Sequence, residues 1–180
     1  MADRRIIRTE QQITDIFFTK LATKPLSKIS VSEITRAANI NRSTFYLHYQ
    51  DVFDLYQQVT QTLINDLAQV FDTTYPDDEV PLAFLTLAEN ILTYLQNHQH
   101  AFKILLKAEN SANFIDQIRQ LFINKVIEKE HISANNHDYI IDVNYNVNGA
   151  LGVITAWEKD ELDCSIDVVI KRLAEIFAIL

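Results

Sequence analysis

Glycine and proline are almost missing from this chain, at two and three residues of 180. Sandwiches and barrels need many turn residues, so their scarcity predicts an all-α fold of helices joined by short loops. The single cysteine, Cys164, excludes an intrachain disulfide and a cysteine-based zinc site. Nothing demands an oxidising compartment. No apolar run approaches the ~18 residues of a membrane span. The opening MADRRIIRTEQQ lacks the apolar core of a secretory signal. A cytoplasmic protein with no membrane partner is therefore expected.

Catalytic signatures are also missing. With glycine only at 149 and 152, no glycine-rich phosphate loop can form, and neither H-E-x-x-H nor G-x-S-x-G occurs. His98 and His100 are two residues apart and point different ways on a helix. Glu128, Glu130 and His131 suit a solvated helix end. Cys164 follows the acidic run 160–163, a setting that disfavours a reactive thiolate. No enzyme, metal site or cofactor is expected.

Basic residues are in deficit overall, and the net charge is −8. Their distribution matters more than the total. Residues 1–50 hold eight basic and four acidic residues, a net +4. Residues 51–180 hold eight basic and twenty acidic residues, a net −12. A basic third on an acidic body suits contact with a polyanion at one end only.

Apolar periodicity predicts about nine helices. The first covers ~8–23 and stops before Pro25. Ser30 with Glu33 forms a capping box for a helix at ~31–38. Asn39 then occupies a turn that needs positive φ, and Asn41 caps a third helix at ~42–48. A linking helix runs ~51–72, with Val52, Leu55, Val59, Leu63 and Leu67 on one face. TTYPDDEVP (73–81) is the clearest compositional break. Further helices are expected at ~81–97, ~98–108, ~111–131, ~136–158 and ~165–179. The expected domains are 1–50 and 51–180, the second beginning with the linking helix.

Short helix, tight turn and second short helix over Val31–Leu55 is the spacing of a helix-turn-helix. From Thr9 to Leu55 the chain resembles the N-terminal domain of TetR/AcrR-type transcriptional regulators. Ile29, Val31-Ser32-Glu33-Ile34 and Ala37-Ala38-Asn39-Ile40-Asn41 are similar to that family's turn segment. Arg42-Ser43-Thr44-Phe45-Tyr46 is similar to its recognition helix, and His48-Tyr49 with Asp54-Leu55 to the run after that helix. Asn39 stands where glycine is usual. Val52 stands where the family often has a phosphate-binding lysine.

In this motif the second helix enters the major groove. Arg42, Ser43 and Thr44 are the expected base contacts, since Arg can pair with guanine and Ser/Thr can meet either base type. Lys28, Ser32, Thr35, Tyr46, His48 and Tyr49 are the expected phosphate contacts. Arg4, Arg5 and Arg8 are read as a basic arm or a solvated tail. The resemblance implies a homodimer on a pseudo-palindromic operator of double-stranded DNA, acting as a repressor. It also implies a small-molecule inducer that swings the linking helix. A co-regulator acting mainly through a protein partner is the alternative, favoured by Val52.

In the second domain Gly149, Gly152 and Ala156 form a small-residue seam. With Ile166, Val169, Ile170, Leu173, Ile176 and Phe177 it is read as a dimer interface. Close packing within one chain or a helix bend stays open. Phe84, Tyr94, Phe102, Phe114, Phe122, Tyr139, Tyr145 and Trp157 either line a ligand pocket or form plain core.

Overall fold

A computed structural model describes residues 4–75 and 81–177, with side chains at 81–85, 174 and 177 outside the description. Among the described residues the fold is all-helical. The helices are α1 (Arg4–Leu21), α2 (Val31–Ala37), α3 (Arg42–Tyr46), α4 (Val52–Thr74), α5 (Pro81–Asn97), α6 (Gln99–Lys107), α7 (Ser111–Lys129), α8 (His137–Glu158) and α9 (Ile166–Phe177), with a 3-10 turn at Leu26–Lys28. No described helix is long and apolar enough to cross a membrane. The expected helices agree with these to within a few residues. The exception is the start of α1, which takes in Arg4, Arg5 and Arg8 as exposed helical residues rather than an arm.

The chain divides into two compact units, 1–63 and 64–180, and the division falls inside α4. It lies neither at residue 50 nor in the 73–81 stretch. The cause is that α4 is one unbroken helix of 23 residues serving two cores. Val52 and Leu55 are buried in its first part, and Ile64, Leu67 and Phe71 in its second.

In the first unit α2 packs against α1 and α3. Ile13, Phe17, Ile34, Phe45 and Leu55 are fully buried. Gln12 Nε2 of α1 donates to the Ala38 carbonyl at 2.8 Å, tying α1 to the end of α2. The capping box is present: Glu33 N donates to Ser30 Oγ at 3.3 Å, and Ser30 N donates to Glu33 Oε2 at 3.0 Å. Lys24 Nζ adds a bond to Glu33 Oε1 at 2.5 Å. Lys24 first, then the Ser30 amide and hydroxyl, hold the Glu33 carboxyl down at about 2. Because that value is depressed, the contribution is complete above the ordinary 4.5 and fades as pH falls toward about 2. Asn41 occupies the N-cap of α3, but its side chain makes no capping bond.

In the second unit α7 packs on α6 and α8, and α5 on α9. Leu67, Leu92, Phe102, Leu105 and Phe114 are fully buried. Lys125 Nζ reaches Asp72 Oδ2 at 2.6 Å, joining α7 to the end of α4.

Scarce glycine leaves a mark on the helix ends. Asn39, His131 and Asp160 have positive φ, at 50°, 51° and 62°. Each is followed by an amide that donates back across the turn: Ile40 to Thr35 O at 3.0 Å, Ile132 to Ile127 O at 3.0 Å, Glu161 to Ala156 O at 2.9 Å. This is the helix stop that usually uses glycine. A Cβ in the left-handed region costs roughly 1–2 kcal/mol. His131 is exposed. Replacing His131 with Gly should therefore raise stability by about 1 kcal/mol, read as the shift in urea midpoint at fixed protein concentration.

Candidate nucleic-acid interface and regulatory site

α3 has only five residues, too few to persist alone. It is held by Phe45, which is fully buried and packs edge-on to Tyr46 (5.8 Å between centroids) and tilted against Tyr49 (5.5 Å). Anchoring Phe45 turns the opposite face outward. Arg42, Ser43 and Tyr46 are exposed there, with Thr44 half-buried. Arg42 lies along Tyr46: its Nε and Nη2 donate to the Tyr46 hydroxyl at 3.1 and 2.9 Å, and its guanidinium carbon sits 5.5 Å from the ring centroid. One face thus presents a cation, a hydroxyl and an aromatic edge.

Lys28 and Ser32 are also exposed. Three of the expected phosphate contacts are placed differently. Thr35 is buried, and its hydroxyl turns back to the Ser32 carbonyl at 3.4 Å. Tyr49 is buried too; burial pushes its phenol pKa up, against a hydrogen bond with Thr14 that lowers it. His48 Nδ1 lies 3.0 Å from Glu10 Oε1, so this imidazole braces α1. For His48 and Tyr49 the cause is a tertiary partner that local spacing does not reveal; for Thr35 it is burial, with its hydroxyl turned to a carbonyl of its own helix.

Leu47 is an outward residue that sequence reasoning missed. It is 82% exposed, against 47% for Tyr46. Its signal was available, since it lies one turn beyond Ser43 on the face opposite Phe45. Val52, at the start of α4, is buried. The amides there are taken by carboxylates: Asp54 N donates to Asp51 Oδ1 at 2.8 Å and Gln50 N to Asp54 Oδ2 at 2.7 Å.

The second unit contains a small apolar cavity. Leu67, Ile91, Leu95, Phe102, Leu106, Ile115, Ile118, Phe122, Leu151, Ile154, Thr155 and Glu158 line it. Of the expected pocket residues, Phe102 and Phe122 are there. Phe114 stacks behind Phe102 at 5.8 Å. Tyr94 donates to Asp66 Oδ2 at 3.2 Å and lies over His98. Trp157 donates from Nε1 to the Cys164 carbonyl at 3.0 Å. Tyr145 is 76% exposed, so it belongs to the surface rather than to the cavity. Tyr139 is half-buried in the first turn of α8 and is not in the lining. The Phe84 side chain lies outside the described residues. Glu158 was missed, although it continues the inward register of Leu151, Ile154 and Thr155.

Gly149 and Gly152 are exposed, and a Cβ built on either meets nothing within 4 Å. Close packing inside the chain therefore does not explain them. Ile141 and Tyr145 lie on the same exposed face of α8. On α9, Val169 and Leu173 are buried in their own chain, which removes them from an outward-facing set; Ile166 and Ile170 are half-exposed. The Phe177 side chain lies outside the described residues.

The fold and the exposed face of α3 define a helix-turn-helix protein. The family model for the TetR-type "Transcriptional regulator C-terminal region" matches residues 84–178, over half of the chain. The chain belongs to the TetR family of transcriptional regulators. That is a family of regulators, not of enzymes. One curated relative is the "Uncharacterized HTH-type transcriptional regulator YxbF" of Bacillus subtilis (strain 168), 42% identical over 60 residues. The match covers 33% of this chain and 16% of that relative. The solved TetR-family transcriptional regulator of Streptomyces coelicolor has the same fold, with TM-score 0.69 and 18% identity over 93% of this chain and 80% of its own. So does the "Dihydroxyacetone kinase operon activator DhaS", with TM-score 0.62 and 20% identity over 95% and 94%.

Phe45→Ala should cost about 3–5 kcal/mol, and Ser43→Ala less than about 0.5 kcal/mol, in urea denaturation. Equal effects would mean that α3 is not anchored as described.

Proposed function

We propose that this protein is a homodimeric repressor that binds a pseudo-palindromic operator and is released from it by a small molecule. The observation that carries the reading is the outward face of α3. Arg42, Ser43, Tyr46 and Leu47 are exposed while Phe45 is locked in the core. Arg42, Ser43 and Thr44 read base edges, and Leu47 meets a thymine methyl. Lys28, Ser32 and Tyr46 hold phosphates and set register. Such a protein works where the chromosome is, in the cytoplasm.

A palindrome needs two heads, about one helical turn apart. The exposed face of α8 supports a second copy as its occupant. Two glycines in a helix interior cost about 1 kcal/mol each relative to alanine, and among the described residues nothing uses the space they leave. Ile141 and Tyr145 add apolar surface beside them. Gly149, Gly152 and Ala156 would let α8 approach its copy closely, with Ile166 and Ile170 of α9 alongside.

Release requires that the ligand favour one of two states. Leu67 lines the cavity and lies on the same helix as Val52 and Leu55 of the first core. Ligand entry there biases α4, and through it the reading heads.

A second reading is a co-regulator that acts mainly through a protein partner. It is favoured by the buried Val52 and by the Asp51 and Asp54 carboxylates where a phosphate anchor would otherwise sit. The fold is shared with a protein named as an operon activator.

Binding of the purified protein to its own upstream DNA, measured across salt, separates the two. The repressor reading expects tight binding that weakens steeply with salt; no binding at low salt would leave the co-regulator. Arg42→Ala should remove about 1–3 kcal/mol of operator preference, with sedimentation still showing a dimer. Gly149→Leu combined with Gly152→Leu should give folded monomers; an unchanged dimer would refute the α8 interface.

A further inference from the structure

Glu158 is buried to 2% exposure at the end of α8. Neither of its carboxylate oxygens has a hydrogen-bond partner among the described residues. It lines the cavity of the second unit, where every other lining residue is apolar except Thr155. A desolvated carboxylate with no donor is a costly group to keep unless something supplies one.

The chain has cations nearby and directs them elsewhere. Lys103 and Lys107 of α6 both reach Asp160, at 2.8 and 3.0 Å. Asp160 is set in place by its positive φ, just past the end of α8. The two lysines hold the Asp160 carboxyl below the usual range. Burial pushes the Glu158 carboxyl up, with Lys103 and Lys107 opposing and Asp160 adding to the rise. The local cations are thus committed to the surface carboxylate, and the buried one is left open.

Water fits this place but does not neutralise it. The cavity has a volume of about 30 Å³, room for about one water. A water could bridge Glu158 and the Thr155 hydroxyl, but it brings no positive charge to a buried carboxylate. In chemistry, though not in its present volume, the lining matches an apolar body with one donor-rich cationic end.

We infer that this cavity binds an amphipathic amine, its ammonium paired with Glu158 and its hydrocarbon seated among Leu67, Phe102, Phe122 and Leu151. The ammonium brings both charge and N–H donors to the carboxylate. Anything larger than water must displace aliphatic side chains of the lining, so occupancy spreads the helices around it. This deepens the regulatory reading and rests on it only for what the ligand controls.

The test uses the full chain without DNA and three probes with one tail: n-octylamine, n-octanol and octanoate. Binding is followed by calorimetry and by the fluorescence of Trp157. Octylamine should bind at least about tenfold more tightly than either other probe. Glu158→Gln, nearly isosteric, should erase that preference while leaving octanol within about twofold. Equal binding of the three probes, binding of none, or an amine preference that survives Glu158→Gln would overturn the inference. If the variant does not fold, the wild-type order of the three probes still decides. A protein that takes octylamine but ignores DNA would sink the regulatory reading and leave this one standing.

Discussion

Phe45 is the residue on which the reading head depends. A helix of five residues cannot offset its nucleation cost with its own hydrogen bonds. It exists because one ring is fully buried in the core that also holds Ile34 and Tyr49. Burial at one position of so short a helix fixes the direction of every other side chain on it. Arg42, Ser43, Tyr46 and Leu47 face outward for that reason. The turn before it is equally constrained, since Ala38 is buried and Asn39 takes a left-handed φ of 50° in place of glycine. A larger residue at 38 or a β-branched one at 39 would move α3 relative to α2 and misdirect the whole face.

The helices were legible in the sequence because they are encoded locally. The capping box at Ser30, the positive φ at Asn39 and the three- and four-residue apolar spacing of α4 each involve neighbours in sequence. The side chains that sequence reasoning misplaced are those whose partners are remote. His48 is tied to Glu10, 38 residues earlier. Tyr49 is governed by burial and by Thr14. Both sit beside exposed residues in a motif where polar tips suggest phosphate, and nothing local distinguishes a buried tyrosine from a solvated one. The compact units divide elsewhere for a different reason. Composition changes most sharply at 73–81, but a continuous helix lets the cores divide at 63, where composition is unremarked.

α8 shows what the second unit leaves unused. It has 22 residues, yet only Val143 and Glu158 are buried. A helix of that length with Val147, Leu151, Val153 and Ile154 only partly covered retains apolar surface worth removing from water. Its glycines reduce helix propensity without relieving any contact inside the chain. On the proposed reading both costs are offset by a second copy that approaches this face closely. The inward side of the same helix ends in an unpartnered carboxylate. On that reading one face meets a second helix and the other a small ligand, and a ligand that displaced the helix would be felt on both.

Charge decides how such a protein can hold DNA at all. The acidic residues of 51–180 oppose approach, and the start of α4 commits its free amides to Asp51 and Asp54. At physiological ionic strength the screening length is about 8 Å. Acidic groups farther than this from a phosphate have little effect, whereas a guanidinium in contact keeps most of its attraction. Affinity therefore rests on few, short contacts rather than on a broad field. Arg42 is the exposed cation on the face of α3, and its pairing with Tyr46 holds the guanidinium along that side chain. That preorganisation lowers the entropy lost on binding. On the proposed reading, this is how a chain with Val52 where the family often has a lysine could hold a duplex.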